Sequence, residues 1–219
     1  KTPLTAIRMY AEMLLGGMAA SPQAQADYHR HIHAESERLS RLIGNVLTLS
    51  QLERGREKAL SLHIGSLREP VAEVVQMLTP HATQAEVELR VDIPPALQAR
   101  FHRDSLIQVV INLCDNAIKF SAAARAEGGE PAVVSLHASQ ADGRVQLLVR
   151  DAGPGIPPVL LRRVFDPFVR GERELTRRTQ GTGIGLALAR SLMRRMQGQI
   201  SARNLPQGGL EVQLLLPGA

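Results

Sequence analysis

The sequence predicts an α+β chain, in which an N-terminal helical hairpin over residues 1–55 precedes a two-layer α/β sandwich over residues 56–219. Three observations carry this expectation. Apolar residues recur at helical spacing through residues 4–52. Beyond the charged, glycine-broken stretch Glu53-Arg54-Gly55-Arg56-Glu57-Lys58, short alternating runs take turns with helical ones. Two glycine clusters then sit where the pattern changes: Asp151-Ala152-Gly153-Pro154-Gly155 ends an apolar run, and Gly181-Thr182-Gly183-Ile184-Gly185-Leu186 opens a helical one.

In the first helix Leu4, Ile7, Ala11 and Leu14 follow 3-4-3 spacing, and Leu15 and Met18 thicken the stripe. Gly16-Gly17 weakens it, and Ser21-Pro22 supplies an N-cap and a first-turn proline for a second helix. That helix carries Tyr28, Ile32, Leu39, Leu42, Ile43, Val46, Leu49 and Leu52. Two helices alone cannot bury such a seam. Pairing two copies into a four-helix bundle solves the problem, so the pattern predicts a homodimer; packing of the hairpin on its own C-terminal domain is the alternative. His29, His31 and His33 lie near the start of this helix. His29 and His33 share a face at i, i+4 and can bind a metal, but no third ligand stands at good spacing, so a solvated face is expected.

After residue 59, Leu60-Ser61-Leu62 reads as a short strand. Ser66 and Glu69 have capping-box spacing for a helix through Val71, Val74, Val75 and Leu78. Residues 87–91 alternate as a strand, and Asp104 opens the next helix. Residues 133–137 and 144–149 are further strands, joined at Asp142-Gly143. Residues 199–202 and 210–216, linked by Pro206-Gln207-Gly208-Gly209, form a C-terminal hairpin. Helices against one face of a mixed sheet give the sandwich.

Composition bounds the function. Hydrophobic residues make up 44% of the chain, enough for a real core. No run of about twenty apolar residues appears, and the N-terminus has no signal-peptide plan, so the piece is expected to be soluble. The lone Cys114 falls on an apolar helical face, which points to a buried thiol in a reducing compartment. The net charge of +5 comes with no Trp and few aromatics for base stacking, so phosphates and an acidic partner explain the arginines better than nucleic acid does.

The chemistry concentrates in three places. A glycine cluster at a helix head lets a phosphate approach unpaired backbone N–H groups at the positive end of the helix dipole. In Asn112-Leu113-Cys114-Asp115-Asn116-Ala117-Ile118-Lys119-Phe120, the apolar positions trace one helical face, while Asn112, Asn116 and Lys119 recur at i, i+4 and i+7 along another. Two amides and an ammonium in line suit a Mg²⁺–triphosphate, because an amide oxygen completes the octahedron of the ion and the lysine neutralises phosphate oxygens. Asp151 ends a strand, where its carboxylate can accept a hydrogen bond from an exocyclic amine; by itself it also reads as a turn-former.

In the order Asn-box, Asp-x-Gly-x-Gly, Phe165-Asp166-Pro167-Phe168 and Gly-x-Gly-x-Gly-Leu, the chain resembles the N, G1, F and G2 boxes of the sensor histidine kinases. Their ATP-binding domain belongs to the GHKL (Bergerat) superfamily, with DNA gyrase B, MutL and the Hsp90 chaperones. The resemblance implies the GHKL sandwich and binding of ATP with Mg²⁺. It assigns catalytic roles to Asn112, Asn116, Lys119 and Thr2, with Asn116 on the metal. It implies that Asp151 reads the adenine amino group, Gly153 and Gly155 close the loop over the base, Ile156 forms an apolar wall, and Phe120 covers the adenine. Phe165 belongs to the F box. Residues between Phe168 and Gly181 match the ATP lid, with Arg170, Arg177 and Arg178 as its cations. Gly181, Gly183 and Gly185 carry the phosphate contacts, and Thr182, Ile184 and Leu186 complete the cofactor-binding set of this box.

Lys1-Thr2-Pro3-Leu4-Thr5-Ala6-Ile7 resembles the tail of the kinases' H box. By that register the phosphoaccepting histidine falls three residues before Lys1, Thr2 helps orient the water that dephosphorylates the partner regulator, and Pro3 lies where the first helix bends. The chain is therefore expected to be the cytoplasmic core of a longer, membrane-anchored kinase, passing phosphate from ATP to a histidine and on to an aspartate of a response-regulator receiver domain. Other readings remain: a different GHKL ATPase, an anti-sigma-factor serine kinase, or a non-catalytic dimeric adaptor. The N-terminal hairpin argues against the first two. Intact Asn116, Asp151, Gly183 and Gly185 argue against the third.

Overall fold

The computed structural model describes residues 3–53, 60–125, 128–141, 143–169 and 183–219. The chain divides into two compact units, Lys1–Ser50 and Gln51–Ala219.

The first unit is formed by helix α1 (Pro3–Leu15) and by helix α2 (Pro22–Glu53) up to Ser50, as the sequence predicts. α1 stops at the glycine pair. The Met18 N–H donates to the Met13 carbonyl at 2.9 Å and Gly17 takes φ +64°, a left-handed C-terminal cap that closes the last turn. α2 begins at its predicted cap, where Ser21 Oγ accepts from the Ala24 N–H at 3.1 Å. The Tyr10 ring stacks on His31 at 4.9 Å and lies 5.4 Å from Tyr28, which ties α1 to α2. No residue of α1 is buried.

In the second unit the elements run β1 (His63–Ser66), α3 (Arg68–Gln84), β2 (Val87–Asp92), β3 (Gln98–Phe101), α4 (Arg103–Ala124), β4 (Ala132–Ala141), β5 (Arg144–Arg150), α5 (Pro158–Leu161), α6 (Gly185–Arg195), β6 (Gln199–Asn204) and β7 (Leu210–Pro217). A five-stranded sheet has the order β2-β4-β5-β7-β6. Its β2–β4 pair is parallel and the rest are antiparallel. α4 lies between α3 and α6 and packs across β4 and β5. The core sits between these layers. Leu106, Val109, Val110, Leu113, Cys114, Ala117 and Ile118 of α4 are buried, and so are Val145, Leu147 and Val149 of β5 with Val212, Leu214 and Leu216 of β7. Their spacing explains the layer: α4 alternates steps of three and one, the strands steps of two. Each buried Val, Leu or Ile among them contributes roughly 1.5–3 kcal/mol by leaving water. Cys114 is buried as expected, and desolvation, with Asp115 beside it, pushes its thiol up to about 12.

Three local expectations are corrected. Leu60-Ser61-Leu62 forms no strand; pairing starts at His63, where β1 meets β3 antiparallel. β3 itself escaped prediction because four residues, two of them polar and one an alanine, give too weak an alternation, although Ala99 and Phe101 are buried. Ser66 and Glu69 do not form a capping box: α3 has Leu67 at its cap, and Ser66 Oγ accepts from the Arg68 N–H at 3.2 Å. α4 likewise starts one residue before Asp104, capped by His102 Nδ1, which accepts from the Ser105 N–H at 3.3 Å.

Candidate functional site

β5, the central strand of the sheet, ends just before Asp151 and places it beside the start of β7. Asp151 Oδ1 accepts from the Gly153 N–H at 2.8 Å and from the Leu210 N–H at 3.0 Å. No described group donates to Oδ2, so the second oxygen is the one left to meet a ligand. Burial raises the Asp151 pKa, and the Leu210 and Gly153 amides offset it only in part. The loop beyond is tight. A Cβ on Gly153 would stand 3.0 Å from Asp151 Oδ1 and 3.1 Å from Phe120 Cβ, so the Asp151 loop and the end of α4 lie close enough that a side chain there would push on both.

Along α4, Asn112, Asn116, Lys119 and Phe120 are all half-buried. Asn112 Nδ2 is buried and has no hydrogen-bond partner among the described residues, so it is a polar group whose pairing needs an explanation. Lys119 Nζ pairs with Asp115, one turn earlier, and His81 of α3 approaches the same carboxylate at 3.9 Å. The ammonium is therefore restrained at the site's edge rather than extended into solvent.

α6 closes the other side. Gly185 opens it, with Asn112 Oδ1 at 3.3 Å from a Cβ placed there. Ile184 caps the helix and is fully buried, and Leu186 is half-buried. Gly183 takes φ +72°, and its carbonyl accepts from the Phe168 N–H at 2.8 Å. Arg190 of α6 reaches Asp166 at 3.5 Å. Phe165 is half-buried beside this pair. Among the described residues, a backbone bond to Gly183 and an ion pair to Arg190 thus tie Phe165-Asp166-Pro167-Phe168 to α6 and the residues just before it.

The structure brings together Asn112, Phe120, Asp151, Gly153 and Gly185 on one side of the α4 helix, with Asn116 and Lys119 on the same row. Gly155 and Ile156 follow in the Asp151 loop. Thr2, Arg170, Arg177, Arg178, Gly181 and Thr182 lie outside the described residues. His29, His31 and His33 are exposed, and no group of three or more His, Cys, Asp or Glu able to hold a metal occurs among the described residues. Sequence reasoning missed two side chains. Ser121, fully buried, accepts from the Ala152 N–H at 3.0 Å and fastens the loop to α4. Asn204 pairs with the backbone of Ile156 through both its amide atoms, at 2.8 and 2.7 Å. Ser121 directly follows Phe120, which was its available signal; for Asn204 no local signal exists.

A mixed sheet under three helices, with a glycine loop at a strand end facing an Asn row and a glycine helix head, defines an ATPase-type nucleotide domain. Residues 101–219 match the model of the histidine kinase-, DNA gyrase B-, and HSP90-like ATPases, and residues 1–55 match the His Kinase A (phospho-acceptor) domain. The chain belongs to that ATPase family, and its N-terminal part to the phospho-acceptor family of the histidine kinases. ATP is the nucleotide this domain implies. Among similar proteins, the probable sensor histidine kinase TcrY of Mycobacterium tuberculosis is 32% identical over 99% of this chain and 43% of its own length. The structure of Acinetobacter baumannii histidine kinase AdeS superposes with a TM-score of 0.76 at 21% identity, covering 99% of this chain and 95% of that one. Histidine kinase ThkA in complex with response regulator protein TrrA gives 0.75 at 23% identity, covering 99% and 58%. At these identities the two structures speak for the fold. The chain spans about half or less of the length of the curated relatives it matches.

Proposed function

We propose that this chain is the kinase core of a sensor histidine kinase, which binds Mg²⁺–ATP and directs its γ-phosphoryl group to a histidine and thence to a response-regulator aspartate. The observation that carries the reading is Asp151: one carboxylate oxygen is locked by two backbone amides while the other has no described partner, opposite an Asn row and a helix head. Asp151 Oδ2 accepts from the adenine amine, Phe120 covers the base and Ile156 walls it. Asn116 offers one hard oxygen to the metal. That suits Mg²⁺, which takes its remaining ligands from water and phosphate and needs no protein cage. Lys119 and the N–H groups at the head of α6 neutralise phosphate, with Asn112 holding that head in register. Phosphoryl transfer asks mainly for alignment and charge neutralisation, which these groups supply.

The exposed apolar residues of the hairpin, Leu4, Leu15, Met18, Ile43, Val46 and Leu47, support a homodimer through a four-helix bundle. No helix among the described residues is long and apolar enough to cross a membrane. The same reading puts these residues in the cytoplasm, with the sensing and anchoring parts in a longer protein. Titration with a non-hydrolysable ATP analogue, with and without Mg²⁺, tests the core of the proposal: micromolar binding that depends on Mg²⁺ and is lost in Asn116→Ala is expected. Metal-independent binding untouched by Asn116→Ala would remove the metal assignment, and absence of binding would remove the function.

A further inference from the structure

Both ends of the Asp151–Ile156 loop are held by one hairpin. At the near end, Leu210 of β7 donates to Asp151 Oδ1 and accepts from the Asp151 N–H, each at 3.0 Å. At the far end, Asn204 of β6 donates from Nδ2 to the Ile156 carbonyl at 2.7 Å and accepts on Oδ1 from the Ile156 N–H at 2.8 Å. This two-way pairing is what a neighbouring strand would provide, yet Ile156 lies in no strand. Gly155 shows how closely the two segments meet. It takes φ +68°, and a Cβ there would stand 2.8 Å from Asn204 Oδ1. Asn204 itself is exposed, contributes nothing to the core and belongs to none of the four sequence boxes.

The geometry points to Asn204 as a positioning residue for base recognition, which clamps Ile156 and thereby fixes the loop that carries the Asp151 carboxylate. The inference rests on the reading of Asp151 as the base-reading group. An acceptor distinguishes an amine from a carbonyl on the purine edge only while it is held in one place. If Ile156 comes loose, the loop shifts and water can satisfy either edge, so discrimination falls with affinity. A primary amide carries a donor and an acceptor side by side, which is what the N–H and C=O of the single residue Ile156 need. An aspartate keeps the acceptor and loses the donor to the Ile156 carbonyl. A glutamine adds a methylene where Gly155 already touches Oδ1.

The test compares the chain with Asn204→Ala and Asn204→Asp in titrations with ATP and with GTP, alongside amide hydrogen exchange at Ile156 and thermal melting. Because the side chain is exposed, both variants should melt within about 2 °C of the parent. Ile156 should lose its protection, ATP affinity should fall roughly tenfold, and the ATP-to-GTP ratio should fall with it. Faster exchange at Ile156 with an unchanged ratio would overturn the inference. So would a loss of affinity that merely tracks a loss of folded protein. If the parent chain fails to prefer ATP over GTP, the role of Asp151 falls and this inference with it. If the parent prefers ATP and the variants do so equally, the inference alone falls.

Discussion

Asn112 and Gly185 meet across two helices, with the Asn112 Oδ1 atom 3.3 Å from the place a Cβ on Gly185 would occupy. The approach joins the middle of α4 to the first residue of α6, and a Cβ added there would sit closer to Asn112 than ordinary van der Waals contact. An alanine at a helical glycine normally stabilises by about 0.4–1 kcal/mol through the unfolded chain. In Gly185→Ala that gain competes with the push on the Asn112 amide. We expect a melting temperature unchanged or slightly raised together with about tenfold weaker ATP binding. Calorimetry and a thermal melt on one sample decide it; unchanged affinity would show that Asn112 moves aside without consequence.

Asp151 sets stability against binding. Burial raises its pKa, so the folded state holds the proton more readily than the unfolded chain does. The sign follows: this carboxyl's contribution to stability falls as pH rises through the raised value, and at neutral pH the ionised group is a burden. Asp151→Asn keeps an oxygen for the Gly153 and Leu210 amides and removes the charge. It should therefore melt higher than the parent at neutral pH, and the gain should vanish below the ordinary aspartate value of about 4. ATP binding should move the other way, falling roughly tenfold to a hundredfold because the amide presents a donor to the adenine amine. Melts across a pH series, paired with titrations, read both.

Glu211 has the opposite pH signature. It is buried on the open face of the sheet between Arg150 and Arg203, each at 2.6 Å. Burial alone would raise its pKa, but the hydrogen bonds and charges of Arg203 and Arg150 outweigh this and hold it below the usual glutamate range. Its stabilisation is present above that range and is lost as pH falls through the depressed value. Glu211→Gln should cost about 1.5–3 kcal/mol at neutral pH, less than a fully enclosed pair would, since both arginines stay partly solvated. Denaturant melts at neutral and acid pH check this: the gap between parent and variant should close in acid.

Periodicity made the elements that bury one full face legible. α4 shows its steps of three and one, and β5 and β7 show their alternation, because burial dictates residue type at each of those positions. Ser21 and Pro22 were legible too, since a cap needs its oxygen at one place in the chain. β3 was not, because its two buried residues are set by pairing with β1, a partner far away in sequence. At the site, the Asn row and the glycines could be read, whereas the clamp of Ile156 by Asn204 could not. It spans forty-eight residues and uses a side chain whose type is common in turns. The pairing of Lys119 with Asp115 is legible at i, i+4, where opposite charges meet on one helical face.

The hairpin offers a separate test of assembly. Val46 and Leu47 are exposed on α2 and apolar. Replacing both with glutamate should separate a bundle of two copies, while leaving ATP binding by the second unit within a factor of about two. Light scattering at micromolar concentration gives the answer, and a parent chain that is already monomeric would count against the dimer.

Lys119 and Asp115 separate phosphate binding from base binding. The ammonium pairs with Asp115, whose carboxylate also faces His81 of α3, so the lysine is held at the row's end by a partner that competes with phosphate. If Lys119 neutralises phosphate oxygens, Lys119→Met should weaken ATP by roughly tenfold to a hundredfold, the worth of one charge-assisted hydrogen bond, and leave adenosine nearly untouched. Asp115→Asn removes the competitor without removing the cation. ATP affinity should then hold or rise, and its salt dependence should steepen because the freed ammonium meets the triphosphate with its full charge. If Asp115 instead orients Lys119 productively, Asp115→Asn will weaken ATP as Lys119→Met does, and the pair acts as one unit. Equal losses for ATP and adenosine in Lys119→Met would show that the lysine supports the fold of α4 rather than the phosphates.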